Sequence, residues 1–220
     1  MAQGRIYLGT KRYSSWSLRG WLSVKLAGLD VEEVMIALAG GSTPAVKAAS
    51  PSGFVPYLEH DGNRIWDSLA IGEYCAELAP ALWPASRADR AHARSVAAEM
   101  HSGFRELRIN MPMSLFRSGH GAGRTEGALA DIARIEKVWG ETLTRSGGPY
   151  LNGATPGIAD CQYAPVVFRF MTYQPELSAI SQAYCATMLA HPMMIDWKDA
   201  ASRESENWYI AAMEAPVEAG

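Results

Sequence analysis

The chain has 220 residues, 48% of them hydrophobic and 20% charged, with a formal net charge of -3 at pH 7. That is enough apolar residue for one large domain or two small ones sharing an interface, and it excludes a disordered chain. The slightly acidic balance excludes a basic surface for nucleic acid but leaves room for a local site for a small anion. The three cysteines, Cys75, Cys161 and Cys185, are far apart with no CxxC, which suits a reducing cytoplasm and carries no zinc signal. His60, His92, His101, His120 and His191 do not fall at ligand spacings, so no metal is expected. The N-terminus lacks the apolar core of a signal peptide, and no apolar run approaches the ~20 residues of a membrane span, so no membrane association is expected.

In chain order, Arg5 to Gly9 is a short β-rich run. From Ser15 to Ala27, Leu18, Trp21, Leu22 and Leu26 recur at helical spacing, and Gly28 stops the helix. Val31 to Leu38 reads as a second strand, and Gly40-Gly41-Ser42-Thr43-Pro44 starts a short helical or irregular piece. Pro56 to His60 is a third strand, and Asp61-Gly62 is a hairpin turn into Arg64-Ile65-Trp66. Asp67-Ser68 then caps a helix through Leu69, Ile71, Tyr74, Cys75 and Leu78. Pro80 to Ala85 reads as a linker, and everything beyond it reads helical. Ser86 to Asp89 resembles a capping box, opening a helix through Val96, Met100, Phe104 and Leu107 toward Pro112. Ser118 to Gly123 reads as a flexible break. Thr125 to Arg145 is a long amphipathic helix ended by Gly147-Gly148-Pro149. Gly157 to Asp160 opens another, through Tyr163, Val167 and Phe170, and His191-Pro192 begins a later one. Pro216 to Gly220 reads as frayed.

Four short segments, in this order, resemble the cytosolic glutathione transferase superfamily. They are the serine segment Tyr13-Ser14-Ser15-Trp16-Ser17, Phe54-Val55-Pro56-Tyr57-Leu58, Asp67-Ser68 with Ala70-Ile71 and Tyr74 behind it, and Leu151-Asn152-Gly153 to Ile158-Ala159-Asp160. The resemblance implies an α/β N-terminal thioredoxin-like domain, residues 1–80, that binds glutathione. It further implies an all-α C-terminal domain, residues 86–215, that binds the second substrate. It also implies glutathione as co-substrate, a small-molecule electrophile and a homodimer. The serine segment is similar to that of the zeta-like serine transferases, which read Ser-Ser-Cys-Ser; Trp16 replaces the cysteine. Gly157 stands where a capping Ser or Thr is usual, and Phe54 where a polar or basic residue is common.

A free thiol has a pKa of roughly 8.5, so a transferase must favour the thiolate. A helix N-terminus and a hydroxyl donor aimed at sulfur both do so, and Ser14 sits where they converge; Ser15 and Ser17 are the alternatives. Taken alone, these serines read as a helix cap. Ser14 and Ser17 hold the spacing of a would-be CxxC, and serine forms no mixed disulfide, so thiol–disulfide exchange by this motif is excluded. The resemblance implies a cis peptide before Pro56, leaving the Val55 N–H and C=O to pair with the cysteinyl backbone like an added strand. It assigns Phe54, Val55, Pro56, Asp67 and Ser68 to glutathione, with the γ-glutamyl carboxylate at the helix N-terminus and Ser68 and the ammonium on Asp67. An apolar pocket for the electrophile is expected from Tyr13, Trp16, Met111, Met113, Leu115 and Phe116, with Arg117 and Arg12 as anchors for a negative charge. Asp160 reads as a helix cap. The activity expected is conjugation of the glutathione thiolate to a hydrophobic electrophile. The alternatives are glutathione-dependent isomerisation of the maleylacetoacetate type, dehalogenation, or a noncatalytic binding module on the same fold.

Overall fold

The computed structural model describes residues 3–41 and 43–217. Met1, Ala2, Ser42 and residues 218–220 lie outside the described residues, so the helical start drawn through Ser42 and most of the frayed tail concern residues not described. The strand signals build a four-stranded sheet in the order β2-β1-β3-β4. Strand β1 (Gly4–Gly9) pairs in parallel with β2 (Val31–Ile36), which requires the crossover helix α1 (Ser15–Leu26) between them. On its other side β1 pairs antiparallel with β3 (Tyr57–His60), and Asp61-Gly62, both at positive φ, turns β3 back into β4 (Asn63–Ile65). The short α2 (Pro44–Ala49) follows β2, and α3 (Ser68–Leu78) follows β4. This is the thioredoxin-like sheet-and-helix arrangement expected.

The peptide Val55-Pro56 is cis, as is Trp66-Asp67. Gly20 on α1 makes room for the proline, because a Cβ there would stand 2.7 Å from Pro56 Cγ. Leu82 and Trp83 are buried, so the linker is a packed joint rather than a loose tether. Beyond it come α4 (Arg87–Ser102), α5 (Arg105–Asn110), α6 (Glu126–Ser146), α7 (Ile158–Tyr173), α8 (Ala179–Ala190), α9 (Pro192–Ser202) and α10 (Ala211–Glu214). Helix α7 is buried almost throughout and packs against both α1 and α4, so one core runs under the sheet domain and the helices. Trp139 of α6 meets Tyr163 and Phe170 of α7 and Tyr184 of α8 at ring separations of 4.7–5.7 Å. Such pairs add about 0.5–1.5 kcal/mol each beyond burial.

Three expectations change. The helix drawn toward Pro112 breaks earlier, at Gly103-Phe104, with Phe104 in the left-handed region (φ 58) so that its ring packs inward beside Tyr163. Helix α8, capped by the Ser178 hydroxyl on Ser181 N–H, is an element the periodicity did not mark. Ser118 to Gly123 is not a loose break. Gly121 N–H donates to the Tyr173 carbonyl, and a Cβ on Gly123 would overlap the Asn110 carbonyl at 2.3 Å. There glycine serves both the left-handed backbone (φ 77 and 73) and the close approach, in a fixed segment.

Candidate active site

The loop after β1 delivers the serine segment to the start of α1. Ser14 is the N-cap: its Oγ accepts from Ser17 N–H at 3.3 Å and donates to Ser17 Oγ at 2.7 Å. Ser17 Oγ in turn accepts from Gly9 N–H at 2.9 Å. Ser17 is fully buried, so it stands behind Ser14 and supports it, whereas Ser14 and Ser15 line a cleft of roughly 630 Å³. The loop is pinned from far along the chain. Glu204 accepts from the N–H groups of Lys11 and Arg12, and Trp197 Nε1 donates to the Lys11 carbonyl at 3.1 Å.

A second hollow, roughly 370 Å³, adjoins the first and shares Trp16, Ser52, Phe54 and Val55 with it. Val55 precedes β3 outside the ladder, and among the described residues no backbone partner takes its N–H or C=O. Phe54 is 75% exposed over both hollows. Asp67 lines the second hollow as the N-cap of α3, its Oδ1 accepting from Leu69 and Ala70 N–H at 3.0 and 3.4 Å. Ser68, by contrast, is fully buried with its hydroxyl unpartnered among the described residues, and it lines neither hollow. Its first-turn position turns the side chain inward, against the expectation of a direct contact. Among the lining residues that escaped the sequence reading, two carry ionisable side chains. Lys47 of α2 is, among the described residues, the one cation lining the larger cleft, and His101 of α4 crosses from the helical domain to face Asp67. A lysine in a short helical piece is a weak signal, and no spacing rule links His101 to Asp67.

The expected electrophile pocket is only partly assembled. Tyr13 and Trp16 line the cleft. Met111, Met113 and Leu115 are buried in the shared core, because the segment before Gly119 runs beneath the serine loop, where Leu115 N–H donates to the Arg12 carbonyl. Arg12 is not available as an anchor: its guanidinium forms a fork on Glu214 at 2.9 Å and lies between the Phe116 and Tyr209 rings at 4.4 and 4.0 Å. The Tyr13 hydroxyl bonds the same Glu214, and Arg117 Nε donates to the Ala215 carbonyl. Phe116 and Arg117 therefore hold the C-terminal segment, not the cleft.

Beneath Trp16 lies an unusual charge arrangement. The Arg19 and Arg108 guanidiniums sit 4.5 and 5.0 Å from its ring. Arg19 is fully buried with all three guanidinium nitrogens unpartnered among the described residues, and burial, with Arg108 and Arg169 as like charges, holds its pKa well below the usual range. Burial likewise lowers Arg108, and it brings Arg169 to about 9. On the far side of the core Asp160 caps α7 as expected. It accepts from Gly157, Leu151 and Asn152 N–H and from the Tyr184 hydroxyl, while complete burial pushes its pKa up to about 6. It lines neither hollow of the cleft.

With this geometry, the chain can be set beside known proteins. The model of the glutathione S-transferase N-terminal domain matches residues 13–78, and that of the C-terminal domain matches residues 121–203. The maleylacetoacetate isomerase of Rhizobium meliloti is 29% identical over 179 residues, 76% of this chain and 82% of that protein. A glutathione transferase homologue from Burkholderia, solved with bound glutathione, superposes with a TM-score of 0.69 at 22% identity, covering 92% of this chain and 99% of that one. A diazinon-metabolizing glutathione S-transferase from the silkworm Bombyx mori gives 0.70 at 17% identity, covering 91% and 97%. At those identities the two structures speak to the fold. The chain belongs to the glutathione S-transferase family and is a glutathione S-transferase by family and fold.

Proposed function

We propose that the two adjoining hollows bind glutathione and present its thiolate to a small hydrophobic electrophile, which the sulfur attacks at carbon. The observation that carries this reading is the set of complementary groups around one continuous cleft. Lys47 and the Ser14 hydroxyl at the α1 N-terminus border the larger hollow, the unpaired Val55 backbone is shared, and the Asp67 carboxylate borders the smaller one. These groups match a carboxylate, a thiol, a peptide backbone and an ammonium. Residues 1–80 form the glutathione-binding domain in this reading, and residues 86–215 supply the rest.

The thiolate is favoured by two effects. The α1 dipole places partial positive charge at its N-terminus, and the Ser14 hydroxyl donates to sulfur without competing as a nucleophile. For that, the Ser14 proton must leave Ser17 Oγ. Ser17 permits the swing, because its own hydroxyl proton then turns to Ser14 Oγ while Gly9 N–H still holds its oxygen. Tyr13 and Trp16 supply apolar wall for the electrophile, and the exposed Phe54 ring covers the glutathione side. The family resemblance adds a homodimer and a cytoplasmic setting to this proposal.

The test is calorimetric binding of glutathione, followed by conjugation rates with an aryl halide for the wild type, Ser14→Ala and Ser15→Ala. Ser14→Ala should raise the pKa of the bound thiol, read from thiolate absorbance, and slow conjugation on the order of tenfold to a hundredfold. Unchanged rates in Ser14→Ala would move the role to Ser15. A wild type that neither binds glutathione nor turns over an electrophile sinks the enzyme reading and leaves the noncatalytic module. Kinship to a maleylacetoacetate isomerase supports a second reading, glutathione-dependent cis–trans isomerisation of an enone diacid. Turnover of such a diacid without net consumption of glutathione would select it.

A further inference from the structure

Asp67 and His101 come from different domains and meet at the edge of the smaller hollow, with His101 Nε2 3.1 Å from Asp67 Oδ2. The two oxygens of Asp67 are thereby divided. Oδ1 caps α3 through Leu69 and Ala70 N–H, and Oδ2 takes His101. The imidazole is itself held. Its ring stands edge-on to Trp16 at 5.2 Å, its backbone carbonyl accepts from Arg108 at 3.4 Å, and its Nδ1 is buried without a partner among the described residues. With no acceptor at Nδ1, Nε2 is the ring nitrogen that donates to Asp67. The Asp67 side chain is 56% exposed and that of His101 21%, so the pair adds little to fold stability; what it does is fix the carboxylate's direction.

We propose that His101 is a positioning residue that completes an ammonium seat at Asp67. It holds the carboxylate so that its remaining lone pairs face the hollow, where they select a ligand with a charged primary amine, in this chain the γ-glutamyl ammonium. The assignment rests on the glutathione reading above. It gives the helical domain a direct part in recognising the peptide's amino end, within a single chain.

The experiment compares glutathione with N-acetylglutathione, whose nitrogen carries no charge, by calorimetry on the full-length protein. His101→Ala and His101→Phe should each weaken glutathione by about tenfold, the scale of a hydrogen bond to a charged group, and leave N-acetylglutathione unchanged. His101→Phe keeps the ring against Trp16 but has no donor, so it separates positioning from packing. His101→Gln, whose amide offers a donor at similar reach, should restore glutathione binding. Asp67→Asn combined with His101→Ala should bind no worse than Asp67→Asn alone, because both changes break one linkage. The proposal is overturned if His101→Phe binds glutathione like the wild type, if it weakens both ligands equally, or if the double variant is additive. A wild type that binds no glutathione overturns the functional reading, and this assignment with it.

Discussion

Replacing Arg19 with methionine should stabilise the fold and impair the site. The Arg19 guanidinium is fully buried, three of its nitrogens have no partner, and Arg108 and Arg169 add like charge. Each stranded donor costs about 1–3 kcal/mol. Against this stands the stack on Trp16 at 4.5 Å, worth up to about 2 kcal/mol when desolvated. Methionine is of similar length, flexible and apolar, and it fills the same channel without charge. The net expectation is a gain of about 1–3 kcal/mol, the range found when buried ions give way to apolar side chains. At about 2–4 °C per kcal/mol for a chain of this size, the melting temperature should rise by roughly 5 °C. Urea unfolding followed by circular dichroism supplies the free energy, and thermal melts supply the second reading. In parallel, conjugation should slow, since Trp16 loses the cation beneath it and the cleft loses positive field near the thiolate. A variant that melts lower than the wild type would refute the reasoning, because it would mean the guanidinium is paid for by contacts stronger than its desolvation.

Three further outcomes are expected. Asp160→Asn turns an amide NH₂ toward at least one of four donors, and should cost roughly 2–4 kcal/mol in urea unfolding with no change in glutathione affinity; a loss under about 0.5 kcal/mol would contradict the capping role. Arg12, and after it Tyr13, hold the Glu214 carboxyl below its ordinary value, against the opposing effect of burial. A lowered folded pKa gives stability that is full above the unfolded value of about 4.3 and is lost as pH falls through the lowered one. Acidification through that window should therefore release the 209–217 segment before global unfolding, seen as increased hydrogen exchange there, and Glu214→Gln should release it already at neutral pH. Lys47→Met should raise KM for glutathione severalfold with kcat nearly unchanged, the mark of a binding contact equal in ground and transition states; a fall in kcat alone would remove Lys47 from the peptide site.

Local chemistry was legible in the chain wherever signals are short-range. The β-α-β-α-β-β-α order, the Asp61-Gly62 turn, the Ser86 and Asp67 caps and the Gly147 stop depend on neighbours within a few residues, and each is present. So is the placement of Ser14 at the head of α1. The electrophile wall was less legible, because apolar composition does not tell a pocket lining from a core. Met111 and Met113 have the chemistry of adaptable ligand contacts, yet the path of the 111–119 segment under the serine loop buries them. Arg12 and Arg117 look like anion anchors in isolation, and only the fold brings Glu214 and the Ala215 carbonyl to occupy them.

By itself, then, the sequence determined the class of fold, the serine in place of a redox cysteine, and the spacing of the family motifs along the sheet domain. Tertiary structure decided which two of the three serines line the cleft, which side chains close it, and what holds the loop still. Ser17 is a support rather than a rival to Ser14 because β1 places Gly9 N–H above it. Glu204, Glu214 and Trp197 anchor the loop from almost the other end of the chain, and His101 reaches Asp67 from another domain. No periodicity encodes such contacts, since they depend on where whole helices pack, and that is set by the sum of many apolar burials rather than by any one pair of residues.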